Sequence, residues 1–155
     1  MSFWLLKSEP DSFSIEDLAR APRKTTAWDG VRNFQARNML RDELQKGDQA
    51  FFYHSSCEIP GIVGIVTVVR AGYPDPTAFE RGHHHYDPDS DRADPRWFMV
   101  DVRLERQFAR AVTLDELRAY ARGPLKDMVL LRKGNRLSVT PVTRSEWQFI
   151  VALAA

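Results

Sequence analysis

Trp28 sits among Lys24, Thr25, Thr26, Asp29, Gly30, Arg32 and Asn33, a polar stretch in which a large indole has no apolar neighbour in sequence. An aromatic face beside hydroxyl and amide groups is what a flipped or single-stranded base requires. The ring stacks on the base, and the polar groups bond to its edge. Asn33 offers both a donor and an acceptor, and Ser8 or Ser55 a hydroxyl. The competing account has the indole fold back as an anchor for its own loop, with no ligand at all. Trp4, inside an apolar run, and Trp147, beside Ile150 and Val151, read as core.

Other residues suggest other chemistries. His83, His84 and His85 are consecutive, and neutral imidazole is a common ligand for zinc or nickel. Adjacent residues of an extended loop point in different directions, however, so no metal and no cofactor is expected. His54 and Ser55, with Asp48 or Glu58 nearby, supply the types of a nucleophilic triad, but without a strained Gly-x-Ser-x-Gly elbow. Cys57 with His54 is no better supported, and there is neither a phosphate-cradling glycine loop nor paired-cysteine zinc spacing. The reading is a binding module and not an enzyme. The alternatives are a small enzyme acting on a nucleobase or nucleoside, with His54 at the pocket floor, and a protein-interaction module using the long loop.

The elements that must position these groups follow from pattern. Phe3-Trp4-Leu5-Leu6 reads as a buried first strand that stops before Pro10, and Ser14 with Glu16 and Asp17 as the capped start of a short helix to about Arg20. Ala36, Leu40 and Leu44 recur at helical spacing and predict a helix ending before Gly47. Gln49 to Tyr53 and Gly61 to Arg70 predict a β-hairpin around Ser55 to Pro60, the second strand being rich in Val and Ile. From Ala71 to Pro95 the Pro, Asp, Gly and His content predicts a loop long enough to be functional. Trp97 to Phe108 alternates like a strand. Thr113 with Glu116 marks a helix start, Pro124 suits the first turn of another, and Thr143 with Glu146 caps a last helix carrying Trp147 and Ile150. Strands adjacent in sequence without regular βαβ alternation predict an α+β domain on a curved, mostly antiparallel sheet.

Length and composition bound the rest. The 155 residues suit a single domain, 1–155, with an ordinary globular balance of 43% hydrophobic and 28% charged residues. Net charge is +1, from 22 Lys and Arg against 21 Asp and Glu, which excludes strong indiscriminate attraction to a polyanion. Local patches remain: Arg20 to Lys24, the trio Arg32, Arg37 and Arg41, and Arg132 to Arg136. A single cysteine, no basic leader with an apolar run behind it and no long apolar span predict no membrane association and a cytoplasmic address, with no basic cluster to direct the chain to a nucleus. No feature calls for an obligate protein partner.

Several strings, in order, resemble the signature segments of the EVE domain family: Phe3 to Pro10, Trp28 to Arg37, Gly47-Asp48, Phe52 to Ser55, Gly61 to Ile65, Asp94 to Trp97, Leu130-Leu131 and Arg136 to Val139. The match spans nearly the whole chain. It implies a PUA-like fold, a barrel-like sheet with flanking helices, related to the YTH domains that read methylated adenine in RNA and the SRA domains that read methylated cytosine in DNA. It also implies a cavity for a modified base of DNA or RNA. By matching positions, Lys7, Ser8, Trp28, Asn33, Tyr53, His54, Ser55, Trp97 and Ser138 would line or border that cavity. The histidine triplet departs from the family pattern, which usually carries other polar residues there.

Overall fold

The structure, a computed structural model, describes residues 1–155. Its elements are β1 (Phe3–Ser8), α1 (Ile15–Arg20), β2 (Thr25–Ala27), α2 (Phe34–Asn38), β3 (Gln49–His54), β4 (Gly61–Pro74), β5 (Phe98–Thr113), α3 (Leu114–Arg118), β6 (Val139–Val142) and α4 (Arg144–Ala154). One six-stranded sheet runs in the order β2-β5-β4-β3-β1-β6.

Helix starts are written locally. The Ser14 hydroxyl accepts from the Asp17 amide, and the Asp17 carboxylate accepts from the Ser14 amide, a reciprocal box that satisfies two free donors of α1. Thr143 and Glu146 repeat it at α4. At α3 the box is one-sided. The Thr113 hydroxyl accepts from the Glu116 amide, but the Glu116 carboxylate is held by Arg110 at 2.8 Å. The second helix is short because α2 widens into a π-helical turn over Met39–Glu43. The helix expected at Pro124 does not form. Tyr120 to Met128 closes as successive turns, with the Gly123 and Leu125 amides both bonding the Tyr120 carbonyl, and this tucks Leu125 and Met128 into the core.

Alternation along the central strands divides the core in two. Leu6, Ala50 and Phe52 pack on one face with Trp28, Leu18 and Leu40, whereas Leu5, Phe51 and Tyr53 pack on the other with Trp147 and Ile150. Burial on both faces is why β1 and β3 read as continuous apolar runs. The β3–β4 hairpin forms as expected, and β4 and β5 extend beyond their predicted ends to 14 and 16 residues, paired through several register shifts that curve the sheet.

The sheet is mostly antiparallel, as expected, and two features define it further. The sheet does not close into a barrel, since β2 and β6 stand at opposite edges. It is also mixed: β1 pairs with β3 in parallel, Ser8 opposite His54, and with β6 antiparallel. The parallel pairing sets the ends of β1 and β3 side by side, and a bond from the Ser55 amide to the Ser8 carbonyl, 3.0 Å, extends it.

Candidate functional site

A cavity of about 480 Å³ opens beyond the end of β1. This is within the ordinary range of small-ligand sites, about 300–1,000 Å³. Lys7, Ser8 and Phe13 form one wall and Thr26, Ala27 and Trp28 a second. The third is the loop that carries His83, His84 and His85, with Asp29 at the rim.

Trp28 follows β2 directly, and its amide bonds the Val100 carbonyl at 2.7 Å, so the strand ladder fixes where the indole leaves the backbone. The residue is 7% exposed. Its apolar partners come from distant positions: Phe52 meets it at a centroid distance of 5.3 Å and an interplanar angle of 89°, within a cluster that includes Val31 and Val100. The anchoring expected by the competing account is present, and a void beside the ring is present as well. The ring is anchored in the core, and it also borders the cavity.

The polar groups around it have defined capacities. The Ser8 hydroxyl donates its proton to the Phe13 carbonyl at 2.6 Å, so it faces a ligand as an acceptor. The Asp29 carboxylate is a second acceptor. Lys7 lines the cavity, but its ammonium lies over the Tyr53 ring, 5.9 Å from the centroid, on the face of the sheet away from Trp28, and burial pulls its pKa below the usual lysine value.

The walls are tied together by Asp75, a residue that sequence reasoning passed over. It is fully buried. It accepts from the Gly30 amide at 2.9 Å, the Thr77 amide at 2.9 Å, the Thr77 hydroxyl at 2.6 Å and the Arg32 guanidinium at 3.1 Å. Burial by itself would raise its pKa, but the bonds from Thr77, Gly30 and Arg32 outweigh it and hold the carboxyl below its usual value. Arg32 also donates to the His85 carbonyl at 2.8 Å. Gly30, at φ +77°, packs where a Cβ would run into the His85 ring. The Trp-Asp-Gly turn and the histidine loop thus form one clamped unit.

The structure brings Lys7, Ser8 and Trp28 together and assigns the other expected residues structural work. Asn33 caps α2, its side-chain oxygen accepting from the Ala36 amide. Tyr53 lies on the other face of the sheet, in the second core cluster. His54 Nε2 accepts from the Ile15 amide at 3.1 Å, and burial lowers its pKa, which keeps it neutral with its lone pair occupied. Ser55 bonds the end of β1 through its amide, and the Ser138 carbonyl accepts from the Lys7 amide at 2.9 Å. Trp97 is sealed by Phe34, stacked at 4.8 Å, and by Arg32 over its ring, with its indole N–H on Asp87. The Arg32 and Arg37 guanidiniums are both committed to protein acceptors, which removes them from the phosphate patch expected of that trio.

The histidine loop corrects the sequence argument most plainly. It is not extended: bonds from the His83 amide to the Glu80 carbonyl and from the Tyr86 amide to the His83 carbonyl coil it, and the three imidazoles gather with ligand-capable atoms within 4.8 Å of one another.

With this geometry in view, similarity to known proteins is informative. Residues 2–153 match the EVE domain family. The chain belongs to the EVE domain family. Thymocyte nuclear protein 1 of Mus musculus is 48% identical over 167 residues, covering 98% of this chain and 73% of that protein. Human THYN1 protein, solved in complex with 5-methylcytosine-containing DNA, superposes with a TM-score of 0.94 at 47% identity, covering 99% of this chain and 98% of that one. A protein from Pseudomonas putida, solved by X-ray crystallography, gives a TM-score of 0.93 at 48% identity over 99% of this chain and 100% of that one. These relatives overturn the cytoplasmic expectation: the mouse and human proteins at 48% identity are named as nuclear. A missing basic cluster was a poor guide, because an address need not be written as a charge run. As to membranes, no helix is long and apolar enough to cross one.

Proposed function

We propose that this EVE domain binds DNA as a reader of a modified base, 5-methylcytosine first among the candidates, received beside Trp28 between the Lys7–Ser8 strand end and the histidine loop. The observation that carries the reading is the anchored Trp28 ring bordering a 480 Å³ cavity. In its support, the backbone is nearly that of the human relative whose structure holds 5-methylcytosine-containing DNA. A base entering this cavity leaves its stack at a cost of a few kcal/mol, which stacking on an aromatic side chain, about 1–3 kcal/mol, offsets in part. Ser8 and Asp29, both lining the cavity, accept from the amino group of the base.

Catalysis has little support in the same geometry. His54, the one histidine offered as a base by sequence, spends its lone pair on capping the first turn of α1.

The test is titration of fluorescent DNA and RNA oligonucleotides, each with and without the methylated base, against wild type and Trp28→Ala. The reading expects modified DNA to bind best and Trp28→Ala to weaken it roughly 5- to 150-fold, the equivalent of the stacking energy. Equal binding by both proteins would refute the pocket, and preference for methylated RNA would move the reading to that polymer.

A further inference from the structure

We propose that His83, His84 and His85 form a binding site for a divalent transition metal of the zinc and nickel class, on the wall of the cavity and with an open coordination position. This stands apart from the base-binding reading, because it uses the imidazole nitrogens and not the indole face.

The single proton of the Thr77 hydroxyl decides the tautomer of His85. Thr77 Oγ1 lies 2.6 Å from Asp75 Oδ1 and 3.2 Å from His85 Nδ1. A hydroxyl has one proton, and the buried carboxylate, an acceptor only, must receive it. His85 therefore carries its own proton on Nδ1 and donates it to the Thr77 oxygen, which leaves a free lone pair on Nε2. An Asp–Thr–His relay of this kind fixes the tautomer and ring plane of a ligating histidine.

The other two rings complete the set. His84 is exposed, and neither of its nitrogens has a protein partner. His83 holds its Nδ1 lone pair on the His85 amide at 3.0 Å. Ligation through its Nε2 shifts the proton from Nε2 to Nδ1 and releases that amide, a rearrangement confined to one turn. Ring centroids are 4.7 Å apart for His83 and His84, 4.6 Å for His83 and His85, and 3.9 Å for His84 and His85. A tetrahedral ion with bonds of about 2.1 Å needs nitrogens about 3.4 Å apart. The ligand-capable atoms lie within 4.8 Å of one another, so the His83 and His84 rings must draw toward His85 for one ion to hold all three. Three protein ligands leave the fourth position to water or to a group entering the cavity.

The experiment uses tag-free full-length protein, stripped with chelator and free of nucleic acid, so its failure does not bear on base recognition. Zinc is titrated against a chromophoric competitor, and cobalt(II) is followed by visible absorption. One equivalent with the absorption of a low-symmetry nitrogen site is expected. His84→Ala, at an exposed position, should abolish it, and Thr77→Val should weaken it about 10- to 100-fold while Thr77→Ser restores it. Circular dichroism confirms that each variant is folded. Unchanged zinc affinity in the folded His84→Ala protein, or a wild type that binds no more tightly than that variant, would overturn the proposal.

Discussion

Trp28 and Trp147 are equally buried, each 7% exposed, and they lie on opposite faces of one sheet. Trp147 is sandwiched: Phe51 stacks at 4.0 Å and Phe3 at 4.6 Å, both within 24° of parallel. Trp28 has an aromatic neighbour only at right angles, and the rest of its surroundings includes a cavity. Solvent exposure cannot tell these indoles apart. What distinguishes them is whether the protein's own rings already occupy the stacking positions that a base would take.

Truncation should break this symmetry of burial into two phenotypes. Trp147→Ala removes both stacked contacts and should lower unfolding free energy by about 3–5 kcal/mol in chemical denaturation, with the DNA affinity of the folded fraction unchanged. Trp28→Ala should lose less stability, because it gives up one edge contact and not two stacked ones, and more affinity. Equal stability losses with equal affinities would mean the two rings do the same job.

A second way to sharpen the contrast is the clamp, which serves the Trp28 side alone. Asp75→Ala strands the Arg32 charge in a half-buried setting and should cost about 3 kcal/mol. Hydrogen exchange should rise in residues 28–33 and 75–85 and not in α4. Because the folded carboxyl is held below its ordinary value of 3.8, the unfolded chain binds that proton more tightly. Its contribution is therefore present at neutral pH and is lost as pH falls below 3.8 through the depressed value. Asp75→Asn should flatten that limb of the stability profile in acid titrations. An unchanged acid limb would show that the clamp does not act through this carboxylate.

The smallest effect expected is the methyl group itself. Burying it is worth about 0.8 kcal/mol, or about 4-fold between 5-methylcytosine and cytosine. A much larger ratio, measured by competition between the two oligonucleotides, would mean that polar contacts change along with the methyl.

Legibility in the sequence followed the range of the interactions. Ser14 with Asp17 and Thr143 with Glu146 are contacts three residues apart; the sequence marks Ser14 as a cap and Thr143 with Glu146 as a capping box, and both helices start there. The β3–β4 hairpin is nearly as local. Asn33 shows the cost of ignoring the same logic: an Asn just before a helix is a cap, and it was read as a ligand group. Asp75 could have been suspected from its place before Pro76, where it caps a short turn. Its grip on Gly30 and Arg32, more than 40 residues away, had no local signal. The histidine triplet was misjudged because the loop was taken as extended, and only the bonds that coil it show the rings converging.

The order of the signature strings, the two-sided apolar runs and the caps were enough to establish an EVE chain with an α+β sheet, because these depend on residue type and near neighbours. They also singled out Trp28. Pairing β1 with β3 in parallel, leaving the sheet open and stacking two rings on Trp147 but none on Trp28 were decided in three dimensions. The reason is physical: a ring's availability is set by what packs on its two faces, and for Trp28 and Trp147 those contacts come from strands far away in sequence.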